Sequence, residues 1–356
     1  MALGLAACAG PRAVSPLPAE VETHTMGLLP VGFDRLPGWR ADHLAEALPA
    51  FAASCGHMKD AAKWRAVCAA ARAVPPNDEA AARAFFENNF QPYAMSDNGA
   101  LRGMFTAYYE PEVAGSRTRS AGYDVPLYGM PTQRTHNGRP EALPDRAAID
   151  RGALSRRNLE RFWLADPVDA FFLEIQGSGR VHLPDGSVVR VSYAGENGGK
   201  YVAIGRVLID RGELTREETS LQTIRAWLVA HPGQSREVME RNPSYVFFRE
   251  LPPMSLEQGP PGAMDVALTP GRSIAVDRSF VPLGTPMWLD TTNAINGLAI
   301  QRLMVAQDTG GAIKGPVRAD LFLGWGPEAA ELAGRMKQTG MQYMLVPRGT
   351  TLPFTS

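Results

Sequence analysis

The sequence predicts a mainly β protein with helices gathered in its N-terminal part and one β unit interrupted by another. Three observations carry this. Residues 40–92 read as helices. From Phe105 the pattern changes to short apolar runs punctuated by Gly and Pro, as in FTAYYEPEV, YDVPLYGMP, DAFFLEIQGSG and RVHLPDGSVVRVSYAG. After a helical interruption, residues 263–347 return to strands.

The elements follow in order. A first helical stretch, DHLAEALPAFAASC, begins at Asp42, and a second, AAKWRAVCAAARAV, begins at Ala61 after Gly56 and a short polar link. A third, DEAAARAFFENNF, has Asp78 as its N-cap, where a short carboxylate can accept from the free amides of the first turn. In the β region, Asp185-Gly186 between RVHL and SVVRVSY is a hairpin signal, because both residue types tolerate the left-handed backbone of a tight turn. An amphipathic helix over about residues 217–230, and a short one ending before Asn242-Pro243, interrupt this region. The last section closes with the helix GPEAAELAGRMKQTG and the strand MQYMLV, with Pro327 at the first helical position and Gly340 as the stop. The resulting division is a leader and linker over 1–30, a helical part and β unit over 31–104 plus 256–356, and an insert over 105–255.

At 356 residues and 45% hydrophobic content the chain has room for two domains. A net charge of −1, with no basic run interleaved with aromatics, argues against nucleic acid as a partner. The six histidines are scattered with no pair at ligand spacing, so no metal and no cofactor are expected.

Chemistry concentrates in VDRSFVPLGT and AQDTGGAIKGPVRADLFLGWG, which supply Asp277, Asp308 and Asp320. These carboxylates follow strand-like runs (SIAV, LMVA) or feed one (LFLG), so they can converge at one end of a small β structure. Convergent carboxylates repel when ionised, which raises one pKa. An acid that stays protonated near neutral pH can give its proton to a leaving oxygen, the central need of glycoside cleavage. Ordinary turn chemistry explains Asp-Thr-Gly equally well. As an aspartic-protease signature the tripeptide would need a second copy, which the chain lacks. GENGGK at 195–200 lacks the spacing and hydroxyl residue of a phosphate loop.

Together, VDRSFVPLGTPMWLD, AQDTGGAIKGPVRADLFLGWGPEAAELAG, FTAYYEPEV and FFLEIQGSGRVHLPDGS resemble the membrane-bound lytic murein transglycosylase A family with its C-terminal three-aspartate domain, over about residues 100–347. The resemblance implies a double-psi β-barrel, a smaller inserted β-barrel and a groove between them. It also implies Asp320 as a single acid/base, Asp308 as its neighbouring support and Asp277 as a further supporting residue. The implied reaction cleaves the β-1,4 bond between N-acetylmuramic acid and N-acetylglucosamine with closure of a 1,6-anhydro ring. A non-catalytic wall-binding protein and a water-using hydrolase remain the alternatives. Tyr108, Tyr109, Tyr245 and Trp325 either offer rings for pyranose faces or pack in the core, and Thr106, Glu110 and Gln176 offer hydrogen-bonding groups. Gln176-Gly177-Ser178 reads either as sugar-binding surface or as a polar turn, and Lys314 either as a partner for a lactyl or peptide carboxylate or as a solvated loop lysine. The expected partners are peptidoglycan strands and envelope synthesis proteins, with the chain itself a monomer.

Leu5-Ala6-Ala7-Cys8 matches a lipobox, although only seven residues precede Cys8 and none is basic. Acylation of Cys8 would anchor the protein in a Gram-negative envelope, and Ala9 matches sorting to the outer membrane; an unanchored N-terminus with an incidental cysteine is the alternative. In that oxidising compartment Cys55 and Cys68, on successive helices, can pair as a disulfide; otherwise they are two buried thiols.

Overall fold

The computed structural model describes residues 23–350 except 60, 133–134, 137–138 and 141, so Cys8 and the lipobox lie outside the described residues. The chain enters through β1 (Met26–Pro30), passes α1 (Leu48–Ser54), α2 (Ala61–Arg72) and α3 (Glu79–Asn89), and continues into β2 (Phe90–Asp97) and β3 (Gly103–Glu110). The insert runs through β4 (Glu112–Ser116), β5 (Val125–Tyr128), the two-residue strands β6 (Thr135–His136) and β7 (Arg139–Pro140), α4 (Arg146–Asp150), β8 (Glu160–Leu164) and α5 (Pro167–Gln176). It continues with β9 (Ser178–His182), β10 (Val188–Glu196), α6 (Ile204–Asp210), α7 (Leu221–Ala230), α8 (Pro232–Glu240) and β11 (Val246–Glu250). The C-terminal third supplies β12 (Ser273–Val276), β13 (Pro286–Thr292), β14 (Ala299–Asp308), β15 (Arg318–Trp325), α9 (Gly326–Arg335) and β16 (Lys337–Pro347).

Six strands, in the order β16-β13-β14-β12-β15-β3, close into a barrel because β16 pairs with β3 as well as with β13; β2 and β1 extend the sheet from the other edge of β16. The β12–β14 and β15–β3 ladders are parallel and the others in the ring antiparallel. Closure turns on two glycines. Gly340 pairs with Gly103 at the point where β16 leaves β3 for β13, and a Cβ on Gly340 would stand 2.4 Å from the Asp290 carbonyl. Gly340 is therefore a strand residue and does not end a helix: α9 stops at Arg335, and MKQTG belongs to the seam and strand that follow.

Strands β13, β14 and β16 are covered on both faces, which is why MWL, LMVA and MLV are unbroken apolar runs. Met287, Leu289, Met304 and Met344 fill the barrel, while Trp288, Leu303, Val305 and Leu345 face the N-terminal helices and meet Phe51, Phe86 and Phe90. Each such side chain contributes about 1.5–3 kcal/mol by leaving water. A buried ion pair locks the layer: Arg272 donates to both oxygens of Asp42 at 2.9 Å and also to the Leu303 and His43 carbonyls. Cys55, just beyond α1, and Cys68 in α2 are joined as a disulfide.

The insert is a six-stranded sheet, β11-β10-β9-β4-β8-β5, curled so that β11 packs against β5 without a ladder between them. Val113, Leu127, Phe162, Leu164, Val181, Val191 and Phe248 line its interior. The β9–β10 hairpin turns at Asp185-Gly186. DAFFLEIQ, expected among the short apolar runs of the β region, is helix α5: Asp166 caps the Val168 amide, Pro167 opens the helix, and Gly177 at φ 77° ends it. The run is apolar on several sides because α5 is enclosed by both the insert sheet and α6–α8. The expected domain boundary at 104/105 falls inside β3, which pairs with β15 and β16 along its length; the first strand confined to the insert sheet is β4.

Candidate active site

One row of residues across the barrel assembles the site. Ala275 on β12 pairs with Asp320 on β15 and with Asp308 on β14, and Asp320 pairs in turn with Thr106 on β3. Cross-strand partners share a face, so two carboxylates flank the methyl of Ala275, two strand spacings or roughly 10 Å apart between Cα atoms. A bulge makes this possible: in the β12–β14 ladder Ile274 pairs with Ala306 but Ala275 with Asp308, skipping Gln307. The extra residue turns Asp308 toward Asp320 and leaves Gln307 to the helical side, where its Nε2 donates to the Ala50 carbonyl at 2.8 Å and Ser54 Oγ at 2.9 Å.

The two acids differ in what they are offered. Asp308 accepts three hydrogen bonds, from the amides of Ala263 at 2.8 Å and Thr309 at 2.9 Å and from the Tyr108 hydroxyl at 2.8 Å. Asp320 accepts one, from Thr106 Oγ1 at 2.5 Å. Burial raises both above the ordinary carboxylate range. At Asp308 the three donors pull back toward the ion. At Asp320 a single donor and the Arg318 charge oppose burial, and the nearby Asp308 pushes the pKa further up. Although Asp308 opens a glycine turn, its donors are Thr309, Ala263 and Tyr108 and not the glycine amides, and its pKa also moves upward.

Both carboxyls lie on the floor of a cleft of about 770 Å³. Pro260–Ala263 and Thr309–Ile313 form the barrel wall, and Gln176–Ser178, Ser192, Tyr193, Glu196, Tyr201 and Arg249 form the insert wall. A junction of two β units thus gives an open trough with polar and aromatic sides.

Several expected supporting and binding residues lie elsewhere. Asp277 is outside the cleft, where it accepts from the Ser279 and Gly315 amides at 3.0 Å each and closes the turns after β12 and before β15. Its pKa falls: burial raises it, but those amides and the Lys314 charge outweigh burial. Glu110 is fully buried, held by Arg180 at 2.9 Å and Arg190 at 2.6 Å, and is closed to a sugar. Tyr245 packs in the core with Tyr128 and Phe247, and Trp325 lies beneath the Arg180 guanidinium at 4.0 Å. Tyr108 reaches the floor, yet its ring packs on Phe322 and its hydroxyl serves Asp308. Tyr109 lies outside the lining, with its amide donating to Gln176 Oε1. Lys314 is exposed, also away from the lining. Thr106, Gln176, Gly177 and Ser178 do line the cleft.

Sequence reasoning missed Tyr193 and Tyr201, which line the cleft with 47% and 46% of their surface exposed, and the cation Arg249 beside them. Tyr193 carried a usable signal, since in VRVSYAG it follows the hairpin by a countable parity; Tyr201, in a loop, carried none. Among the described residues no cluster of three His, Cys, Asp or Glu side chains is placed to hold a metal.

Residues 104–249 match the MltA specific insert domain and residues 272–346 the 3D domain. Membrane-bound lytic murein transglycosylase A of Escherichia coli K12 is 42% identical over 251 residues, which are 68% of this chain and 65% of that protein. The solved membrane-bound lytic murein transglycosylase of Agrobacterium tumefaciens aligns at 35% identity and TM-score 0.82, over 90% of this chain and 98% of that one. The chain belongs to the membrane-bound lytic murein transglycosylase A family. Another similar structure is that of E. coli MltA with bound chitohexaose, 32% identical with TM-score 0.69, covering 92% of each chain. In the family's terms, Asp308 and Asp320 lie in the 3D match, whereas their partners Tyr108 and Thr106 lie in the insert match.

Proposed function

We propose that this protein is a peptidoglycan lytic transglycosylase in which Asp320 is the acid and then the base. The observation that carries this reading is the asymmetry of two partly buried carboxyls on the floor of a cleft, one with three donors and the other with one. Asp320, the group with less support for its ion, holds a proton and passes it to the glycosidic oxygen between N-acetylmuramic acid and N-acetylglucosamine. The bond from that oxygen to C1 breaks, and the C6 hydroxyl of the same muramic ring attacks C1. Asp320, now ionised, takes the hydroxyl proton and is restored, so neither water nor an enzymic nucleophile is consumed. Asp308 keeps negative charge nearby, which holds the Asp320 pKa up and steadies positive charge developing on the sugar ring.

The cleft is partly open to solvent, which suits a polymeric glycan, and the chitohexaose held by the E. coli relative is a chain of related sugars. Relatives described as membrane-bound support a place in the cell envelope. Attachment to the outer membrane through an acylated Cys8 belongs to the same proposal, and incorporation of labelled palmitate, lost in Cys8→Ala, tests it.

Mass spectrometry of the products from purified sacculi tests the reaction. Anhydro-muropeptides from the wild type, falling at least about a hundredfold in Asp320→Asn, are expected. Reducing ends would make the protein a hydrolase, and no cleavage would leave a wall-binding protein.

A further inference from the structure

Arg318 lies two residues before Asp320, lines the cleft floor and is only 8% exposed. Its guanidinium turns from the acid to the acid's partner. Nη2 donates to Thr106 Oγ1 at 2.8 Å, and Nη1 donates to the Ala319 carbonyl at 2.6 Å. Nε is buried with no partner among the described residues, so the side chain is kept there at a cost in unmet hydrogen bonding.

A guanidinium has donors only, and a threonine hydroxyl has one hydrogen. With Nη2 occupying a lone pair of Thr106 Oγ1, the hydrogen of Thr106 is directed along the 2.5 Å contact to Asp320 Oδ1. Oδ1 must then accept. When Asp320 is neutral its proton has one place left, Oδ2, which makes no hydrogen bond among the described residues on a side chain that lines the cleft.

We propose that Arg318 is a positioning residue which, by fixing the direction of the Thr106 hydroxyl, assigns the acid proton of Asp320 to the oxygen facing the glycan. Without it Thr106 can rotate and accept from a protonated Oδ1, and a share of the neutral acid then points its proton at the protein. This rests on Asp320 being the acid, a reading that stands or falls separately with Asp320→Asn.

The experiment measures kcat, KM and pH dependence on purified sacculi for Arg318→Met, Arg318→Lys, Thr106→Val, Thr106→Ser and the Arg318→Met/Thr106→Val double variant. The expected result is a drop of about tenfold in plateau kcat for Arg318→Met and for Thr106→Val, with KM little changed and with rescue by Thr106→Ser. Arg318 and Thr106 both favour the ionised carboxylate, so the alkaline limb should move to higher pH in these variants. In the double variant, Arg318→Met should cost no further plateau kcat, because its effect passes through the missing hydroxyl. A plateau kcat within twofold of wild type for Arg318→Met, or full additivity in the double variant, would overturn the proposal. If Arg318→Met does not fold, Thr106→Val and Arg318→Lys decide: wild-type kcat and limb in both would overturn it equally.

Discussion

Hydrogen-bond donors, counted one carboxyl at a time, separate two aspartates that burial alone treats alike. Asp308 has three and Asp320 one, and the negative charge of the first raises the pKa of the second. Asp308→Asn removes that charge, so the pKa of Asp320 should fall. Since the acid must be protonated, the alkaline limb of the rate profile should shift to lower pH with residual activity remaining; an unmoved limb would show that the two groups are uncoupled. At the insert wall, Tyr201→Ala should raise KM for glycan strands about tenfold with kcat little changed, because a ring stacked on a pyranose binds ground and transition states alike. The residue scale was half legible in sequence. The acids were marked by their glycine-rich setting and Tyr193 by its parity in β10, whereas Tyr245, just before β11, and Tyr201, in a loop, lie outside strands and offer no parity to count.

Elements were legible where a local rule dominated and opaque where packing did. Asp78 caps α3 through the Ala81 amide, and Asp185-Gly186 turns its hairpin, both by chemistry within four residues. The bulge at Gln307 and the Gly103–Gly340 seam depend on strands more than thirty residues apart, so no window of sequence displays them. Helix α5 shows the converse: an Asp-Pro start and Gly stop were present, but an apolar run enclosed on several sides has no periodicity to read. For the pair of N-terminal helices, the Cys55–Cys68 bond closes a loop with a sequence separation of 13 residues and should contribute roughly 3 kcal/mol. Thiol titration of the unfolded, unreduced protein should find neither cysteine free. Reduction should lower the melting temperature without changing the products, because the cleft is built from other segments.

At the scale of the whole molecule, β3 connects the two β units in both senses. Thr106, Tyr108 and Glu110 alternate along it: the first serves Asp320, the second Asp308, and the third receives Arg180 and Arg190 from the insert hairpin. Those arginines also donate to the Leu256 and Gln258 carbonyls on the return to the barrel, so Glu110 neutralises the junction between the walls. Glu110→Gln should destabilise the protein by about 3–5 kcal/mol, because it strands two buried cations. Chemical denaturation should register that loss, and an unchanged midpoint would reduce Glu110 to a dispensable contact.

The seam of the barrel also sets an order of events as the chain folds. Among the described residues, strand β3 finds its ladder partners only in β15 and β16, more than two hundred residues later. Contacts so distant in sequence carry a large loop-closure cost and form slowly. The insert sheet draws its strands from residues 112–250 and can gather before the C-terminal third has emerged from the ribosome. On the proposed function, a half-made chain would thus have a wall for sugars but no acid to cut them, and the capacity to break glycan would arrive last, with ring closure.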